Sequence, residues 1–82
     1  MWVVKINIIL KKGILDAQGK ATQQALLSLG FDEISSVRIG KLIELQVKGE
    51  SKEEIAKRVT DMCQKILVNP IIEDFEYEIE EQ

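Results

Sequence analysis

Histidine is missing altogether from the 82 residues, and proline and cysteine occur only once each. Without an imidazole the chain has no side chain whose ordinary pKa suits a general base near neutral pH. The lone thiol, Cys63, cannot form an internal disulfide, and its place on an apolar helical stripe makes it a small core residue rather than a nucleophile. Aromatic residues make up 5% of the chain, and the central strands lack the paired, solvent-facing rings on which RNA-binding sheets stack bases. No stretch approaches the ~18 uninterrupted apolar residues of a membrane span. The N-terminus also lacks the basic, apolar and small-residue succession of a secretion signal, so the expected compartment is the cytoplasm and no membrane partner is expected. A net charge of −3 argues against nucleic acid as a partner, because sequence-independent binding needs clustered Lys and Arg to displace counterions. Metal-ligand spacing and a complete phosphate-binding glycine motif are absent too.

What is present describes one small domain over residues 1–82. Its hydrophobic fraction is 45%, which together with clear periodicity argues for folding rather than disorder. At this size only about 60% of the unfolded chain's surface can be buried, so burial against partners is useful. Charge is uneven: residues 1–41 hold six basic and three acidic side chains, whereas residues 42–82 hold five basic and eleven acidic. Such asymmetry suits contacts with other proteins, although a solvated acidic terminus explains much of it.

Residues 2–10 alternate, with Trp2, Val4, Ile6, Ile8 and Leu10 on one side, which is the period of a half-buried strand. Asp16 is placed to cap a helix over 17–29 that carries Ala21, Ala25, Leu26 and Leu29 on one face and stops at Gly30. Val37, Ile39, Ile43, Leu45 and Val47 share odd positions around Gly40-Lys41, which predicts a hairpin with a three-residue loop that pairs 39 with 43. Ser51 and Glu54 form a capping box for a second helix over 52–67, with Ile55, Val59, Met62, Cys63 and Ile66 inward and Pro70 beyond its end. Phe75, Tyr77 and Ile79 then alternate with Glu76, Glu78 and Glu80 in a last strand. The fold class is therefore α+β: a two-layer sandwich of ferredoxin-like order β-α-β-β-α-β with an antiparallel sheet. That topology brings the loops around 12–19, 40–41 and 69–70 to one end. The other, open sheet face carries Val3, Ile9 and Leu42 among polar residues, which predicts self-association through it.

Three segments at the shared end stand out: Lys12-Gly13-Ile14-Leu15-Asp16-Ala17-Gln18-Gly19, then Arg38-Ile39-Gly40-Lys41, then Val68-Asn69-Pro70. The first helical turn, with its dipole and Lys11, Lys12 and Lys20 nearby, could hold an anion, but Asp16 competes for the same N–H donors. Gly19 sacrifices ~1 kcal/mol of helix propensity relative to alanine, which implies close approach by another backbone, either within the fold or from a partner. Arg38, if exposed beside Lys41, could pair a partner carboxylate bidentately. Asn69-Pro70 is in the first instance a helix stop.

These segments resemble the PurS family, small accessory subunits of bacterial and archaeal phosphoribosylformylglycinamidine synthase, in which Lys-x-Gly-Val-x-Asp-Pro-x-Gly, Arg-x-Gly-Lys and Leu-x-Asn-Pro recur. Ala17 stands where the family favours proline, a mild change because alanine adopts the same backbone angle. The resemblance covers nearly the whole chain. It implies an accessory subunit, without an active site of its own, of a carbon–nitrogen ligase that uses glutamine as amido donor and consumes ATP in purine biosynthesis. The implied partners are a glutaminase subunit and a large synthetase subunit, together with further copies of this chain as a homodimer or tetramer. ATP and magnesium are expected on the synthetase, and no cofactor on this chain. The implied interface residues are Lys11, Lys12, Gly13, Asp16, Gln18, Gly19, Arg38, Gly40, Lys41, Asn69 and Pro70. A ferredoxin-like regulatory domain that binds a small molecule is the alternative. An acylphosphatase-like enzyme is a weaker rival, since this first loop offers lysines where that family places an arginine.

Overall fold

A computed structural model describes residues 1–81. Strand β1 (Trp2–Leu10) lies at the centre of a three-stranded sheet, with β2 (Lys41–Val47) and β3 (Glu73–Glu81) antiparallel on either side. A central strand has no free edge, and its even side chains meet the helix layer, so Val4 and Ile6 are fully buried and Ile8 is nearly so. Ile43, Leu45 and Val47 on β2 and Phe75, Tyr77 and Ile79 on β3 continue the same face, as their alternation requires.

Helix α1 (Ala17–Ser28) starts at Asp16 and ends at Gly30, whose φ of +95° is the left-handed conformation that glycine accepts without steric cost. Gly30 N–H donates to the Leu27 carbonyl, and Phe31 N–H to the Leu26 carbonyl, at 3.1 Å each, which closes the helix in a Schellman motif. Helix α2 (Lys52–Met62) is capped by the Ser51 hydroxyl, which accepts from Glu54 N–H at 3.2 Å. It lays Ile55, Val59 and Cys63 against the even face of β1.

Two expectations of strand and helix phase need correction, besides the apolar face read on α1, whose Ala21, Ala25 and Leu29 lie exposed. The expected strand at 37–39 joins no ladder, so the second-strand position in the order β-α-β-β-α-β is filled by an irregular strap, residues 35–40. Strand β2 begins at Lys41, immediately after Gly40, and pairs Lys41 with Ile8 of β1. No residues are left for the reversal that a hairpin pairing 39 with 43 would need. The shared parity of Val37 and Ile39 with Ile43 therefore carries no register, and Ile39 is an exposed apolar residue.

The second correction concerns Ile66. The helix runs to residue 67 as expected, but its last turn, Cys63–Leu67, is a π turn in which Val68 N–H reaches back five residues to the Cys63 carbonyl at 3.0 Å. The wider turn moves the inward position past 66. Leu67 and Val68 close the core, while Ile66 is 81% exposed.

Candidate docking end

Leu10 pairs with Glu73 and Ile8 with Lys41, so β1 ends where β2 and β3 begin. The 11–16 loop, the strap and the 68–72 loop consequently meet at one end of the sheet. Lys11 N–H donates to the Ile72 carbonyl at 2.8 Å and joins the first loop to the third.

Asp16 ties the first loop to the strap. One carboxylate oxygen accepts from Gly19 N–H at 2.9 Å and caps α1; the other accepts from Ile39 N–H at 2.8 Å. These two N–H groups, the Gly19 bond foremost, hold the Asp16 carboxyl below its usual range, and the nearby Arg38 charge adds to the effect. Arg38 itself turns back and donates to the Leu10 carbonyl at the end of β1. Its exposed guanidinium is thereby engaged within the chain.

Gly19 and Gly40 are where backbones pass too closely for a side chain. A Cβ on Gly19 would stand 2.5 Å from the Val37 carbonyl oxygen, and one on Gly40 would stand 2.5 Å from that of Ile8. Of the two explanations for Gly19, close approach within the fold is the one observed. Gly13 has a different role: its φ of +88° follows from a turn closed by Ile14 N–H on the Lys11 carbonyl at 3.1 Å.

Glu73, which the sequence reading did not single out, ties the strap's exit to the third loop. It accepts from Asn69 N–H at 2.8 Å and pairs with Lys41 at 3.1 Å. Those contacts, with the Asn69 bond first, hold its carboxyl below the usual range. Asn69 in turn accepts from Ile71 N–H at 3.1 Å, so Asn69-Pro70 begins a tight turn as well as stopping the helix. Its sequence signal was the adjacent pair Glu73-Asp74, which interrupts the alternation of the last strand at its start; Asp74 pairs with Lys11 at 3.2 Å.

All three segments are thus stitched into one scaffold, in which Asp16, Gly19, Arg38, Gly40, Lys41 and Asn69 are occupied by contacts within the chain. Lys12, Gly13, Gln18 and Pro70 lie exposed on it, next to Leu15 at 76% and Ile71 at 80% exposure. A cleft of about 380 Å³ opens beside the strap, lined in part by Ile8, Leu10, Asp16, Ile39 and Lys41. The Cys63 thiol is fully buried elsewhere, in the core, where desolvation pushes its pKa up. That is the opposite of what nucleophilic activation requires.

Comparison with known proteins gives a consistent family. The sequence profile described as "PurS: Phosphoribosylformylglycinamidine (FGAM) synthase" matches residues 3–81. Phosphoribosylformylglycinamidine synthase subunit PurS of Bacillus subtilis is 44% identical over 81 residues, a match covering 99% of this chain and 95% of the relative. The crystal structure of Methanocaldococcus jannaschii PurS, one of the subunits of formylglycinamide ribonucleotide amidotransferase in the purine biosynthetic pathway, superposes with a TM-score of 0.90 at 36% identity, covering 100% of this chain and 99% of that one. A chain in the structure of PurLQS from Thermotoga maritima superposes with a TM-score of 0.89 at 26% identity, with 96% of each chain covered.

Proposed function

The chain belongs to the PurS family of phosphoribosylformylglycinamidine synthase subunits, and from that membership we propose that it is the small subunit that joins glutaminase to synthetase within this purine-biosynthetic ligase. The observation that carries the reading is the match over residues 3–81, with the three family segments drawn together at one end of the sheet. Residues 1–82 act as one unit in the cytoplasm, without catalysis of their own. The large subunit supplies the ATP and magnesium chemistry, and the assembled complex lets ammonia pass from one active site to the other without loss to solvent. The end formed by the three segments is the docking surface. Within it the stitched residues hold the shape, and Lys12, Gln18 and Pro70, with Leu15 and Ile71 beside them, meet the partner. The chain also associates with itself.

Mixing the purified chain with the glutaminase and synthetase of the same complex, followed by sedimentation, tests the reading. A single boundary containing all three proteins is expected. Co-sedimentation of the two large subunits without this chain, at every ratio, would contradict it.

A further inference from the structure

Strand β3 forms one edge of the sheet over nine residues, and an uncovered edge is a template for another strand. Lys11 N–H donates to the Ile72 carbonyl just before β3 begins, and hydrogen-bonded pairs alternate along an antiparallel ladder. With Leu10 opposite Glu73, that alternation directs the backbone groups of Glu76 and Glu78 inward to β1 and those of Phe75, Tyr77 and Ile79 outward. Glu73 N–H, which starts the outward set, is taken by the Asn69 carbonyl at 2.8 Å. The three N–H groups beyond it meet no acceptor among the described residues.

A groove follows this edge. Two clefts of about 410 and 400 Å³ lie side by side between α2 and β3 and share Ala56 and Tyr77. A third, of about 780 Å³, continues past Gln64 to Phe75. The groove is open because α2 turns small side chains toward it: Ala56 and Thr60 line it and leave Phe75, Tyr77 and Ile79 only half-buried. A bond of 3.2 Å between the hydroxyls of Thr60 and Tyr77 fixes its wall to its floor.

The other side of the same strand is acidic. Six of the nine residues of β3 are Asp or Glu, which concentrates the acidic excess of residues 42–82. Glu76, Glu78 and Glu80 are exposed and belong to no ion pair among the described residues. Their neighbours on β1 are Asn7, Lys5 and Val3, so one lysine faces three carboxylates.

These features specify what fits. A strand added to the edge sets alternate side chains into the groove and the remaining ones beside the glutamates, so it must be apolar on one side and basic on the other. No strand of a second copy qualifies. Another β3 would set Glu against Glu, and on β2 the residues of the open face are Leu42, Glu44 and Gln46, none of them basic.

We propose that the β3 edge receives an extended segment of one of the larger subunits in which basic and apolar residues alternate. The segment adds a fourth strand to the sheet. Its backbone pairs with Phe75, Tyr77 and Ile79, its apolar side chains enter the groove beside Ala56 and Thr60, and its Lys or Arg side chains meet Glu76, Glu78 and Glu80. The choice of a larger subunit as occupant rests on the joining role proposed above, and the edge is a second contact surface besides the three-segment end.

Hydrogen exchange with residue resolution, compared between the chain alone and the three-protein complex, tests the site. In the free chain the Phe75, Tyr77 and Ile79 amides should exchange fast and those of Glu76 and Glu78 slowly; in the complex the first three should slow by about tenfold or more. Glu76→Lys combined with Glu80→Lys should weaken assembly by about tenfold, whereas Glu44→Lys, on the same face at the far edge, should leave it within about twofold. A complex that assembles while the three outward amides exchange as fast as in the free chain would overturn the edge site and leave the joining role standing. Slow exchange of those amides in the free chain would make a second copy the occupant and overturn the proposal as well. Assembly untouched by the double variant would exclude a basic segment, and equal weakening by Glu44→Lys would move the contact to the open face, against the proposal. Failure of the unmodified chain to assemble would overturn the joining role and this occupant with it.

Discussion

Asp16 shows how a single side chain serves both local and long-range structure. Its capping role follows from an acidic residue at the start of an amphipathic segment, and was legible in the sequence. Its second bond, to Ile39 N–H 23 residues away, was not, because nothing in the local pattern records which distant backbone group comes within reach. Glu73 escaped notice for the same reason. The folded state holds both carboxyls below their usual range, so their ionised forms add stability at pH values above the unfolded-state values of about 3.9 and 4.3. That contribution is lost as pH falls through the lower, folded values. With no histidine in the chain, denaturant-measured stability should be nearly level from about pH 6 to 8 and decline in acid, and Asp16→Asn should make the acid decline shallower. Gly19 calls for a different test. Alanine would gain ~1 kcal/mol of helix propensity, but its Cβ would meet the Val37 carbonyl oxygen, and overpacking of that kind costs roughly 1–3 kcal/mol. Urea titration of Gly19→Ala should therefore show destabilisation or at best no gain; a clear gain would mean that the strap does not press on the helix.

At the scale of elements, periodicity was a reliable guide wherever an element has one buried face. The alternation of β1 and β3 and the spacing of α2 all appear in the structure because tertiary burial acts on the same residues that set the pattern. Periodicity misled at 37–39, where parity looked like register, yet Ile39 N–H there donates to the Asp16 carboxylate instead of joining a ladder, and the Val37 carbonyl lies close over Gly19. It also placed Ile66 one position too early, since a π turn changes the period in a way that residue spacing does not reveal. The two ends of α2 make this measurable. Ile55, 1% exposed, should cost about 2–5 kcal/mol on truncation to alanine, whereas Ile66→Ala should change stability by no more than ~0.5 kcal/mol. Comparable losses at both sites in chemical denaturation would contradict the π turn's outward placement of Ile66.

For the molecule as a whole, the sequence made the gathering of three loops legible, because strand order alone decides which loops share an end. The exposure of α1 was hidden: its apolar spacing suggested a buried face, yet Ala21, Ala25 and Leu29 lie exposed, because spacing does not record where a helix sits relative to the sheet. The gathered end is also where function is easiest to perturb without harming the fold. Lys12 is exposed there and outside the ion pairs of Lys11 and Lys41, so Lys12→Glu should leave thermal melting unchanged, an exposed loop charge contributing little to stability. At an interface the reversed charge acts against docking. Lys41→Glu is a less clean probe, since it would place a like charge against Glu73. The central claim, a subunit that makes two other active sites work together, is tested most directly by glutamine-dependent amidine formation in a mixture of the glutaminase and synthetase as this chain is titrated in. The chain alone should be inactive, turnover should rise to saturation at a fixed ratio of chain to synthetase, and folded Lys12→Glu should shift the curve to higher concentration. Turnover that is already maximal without the chain, and unmoved by adding it, would contradict the account.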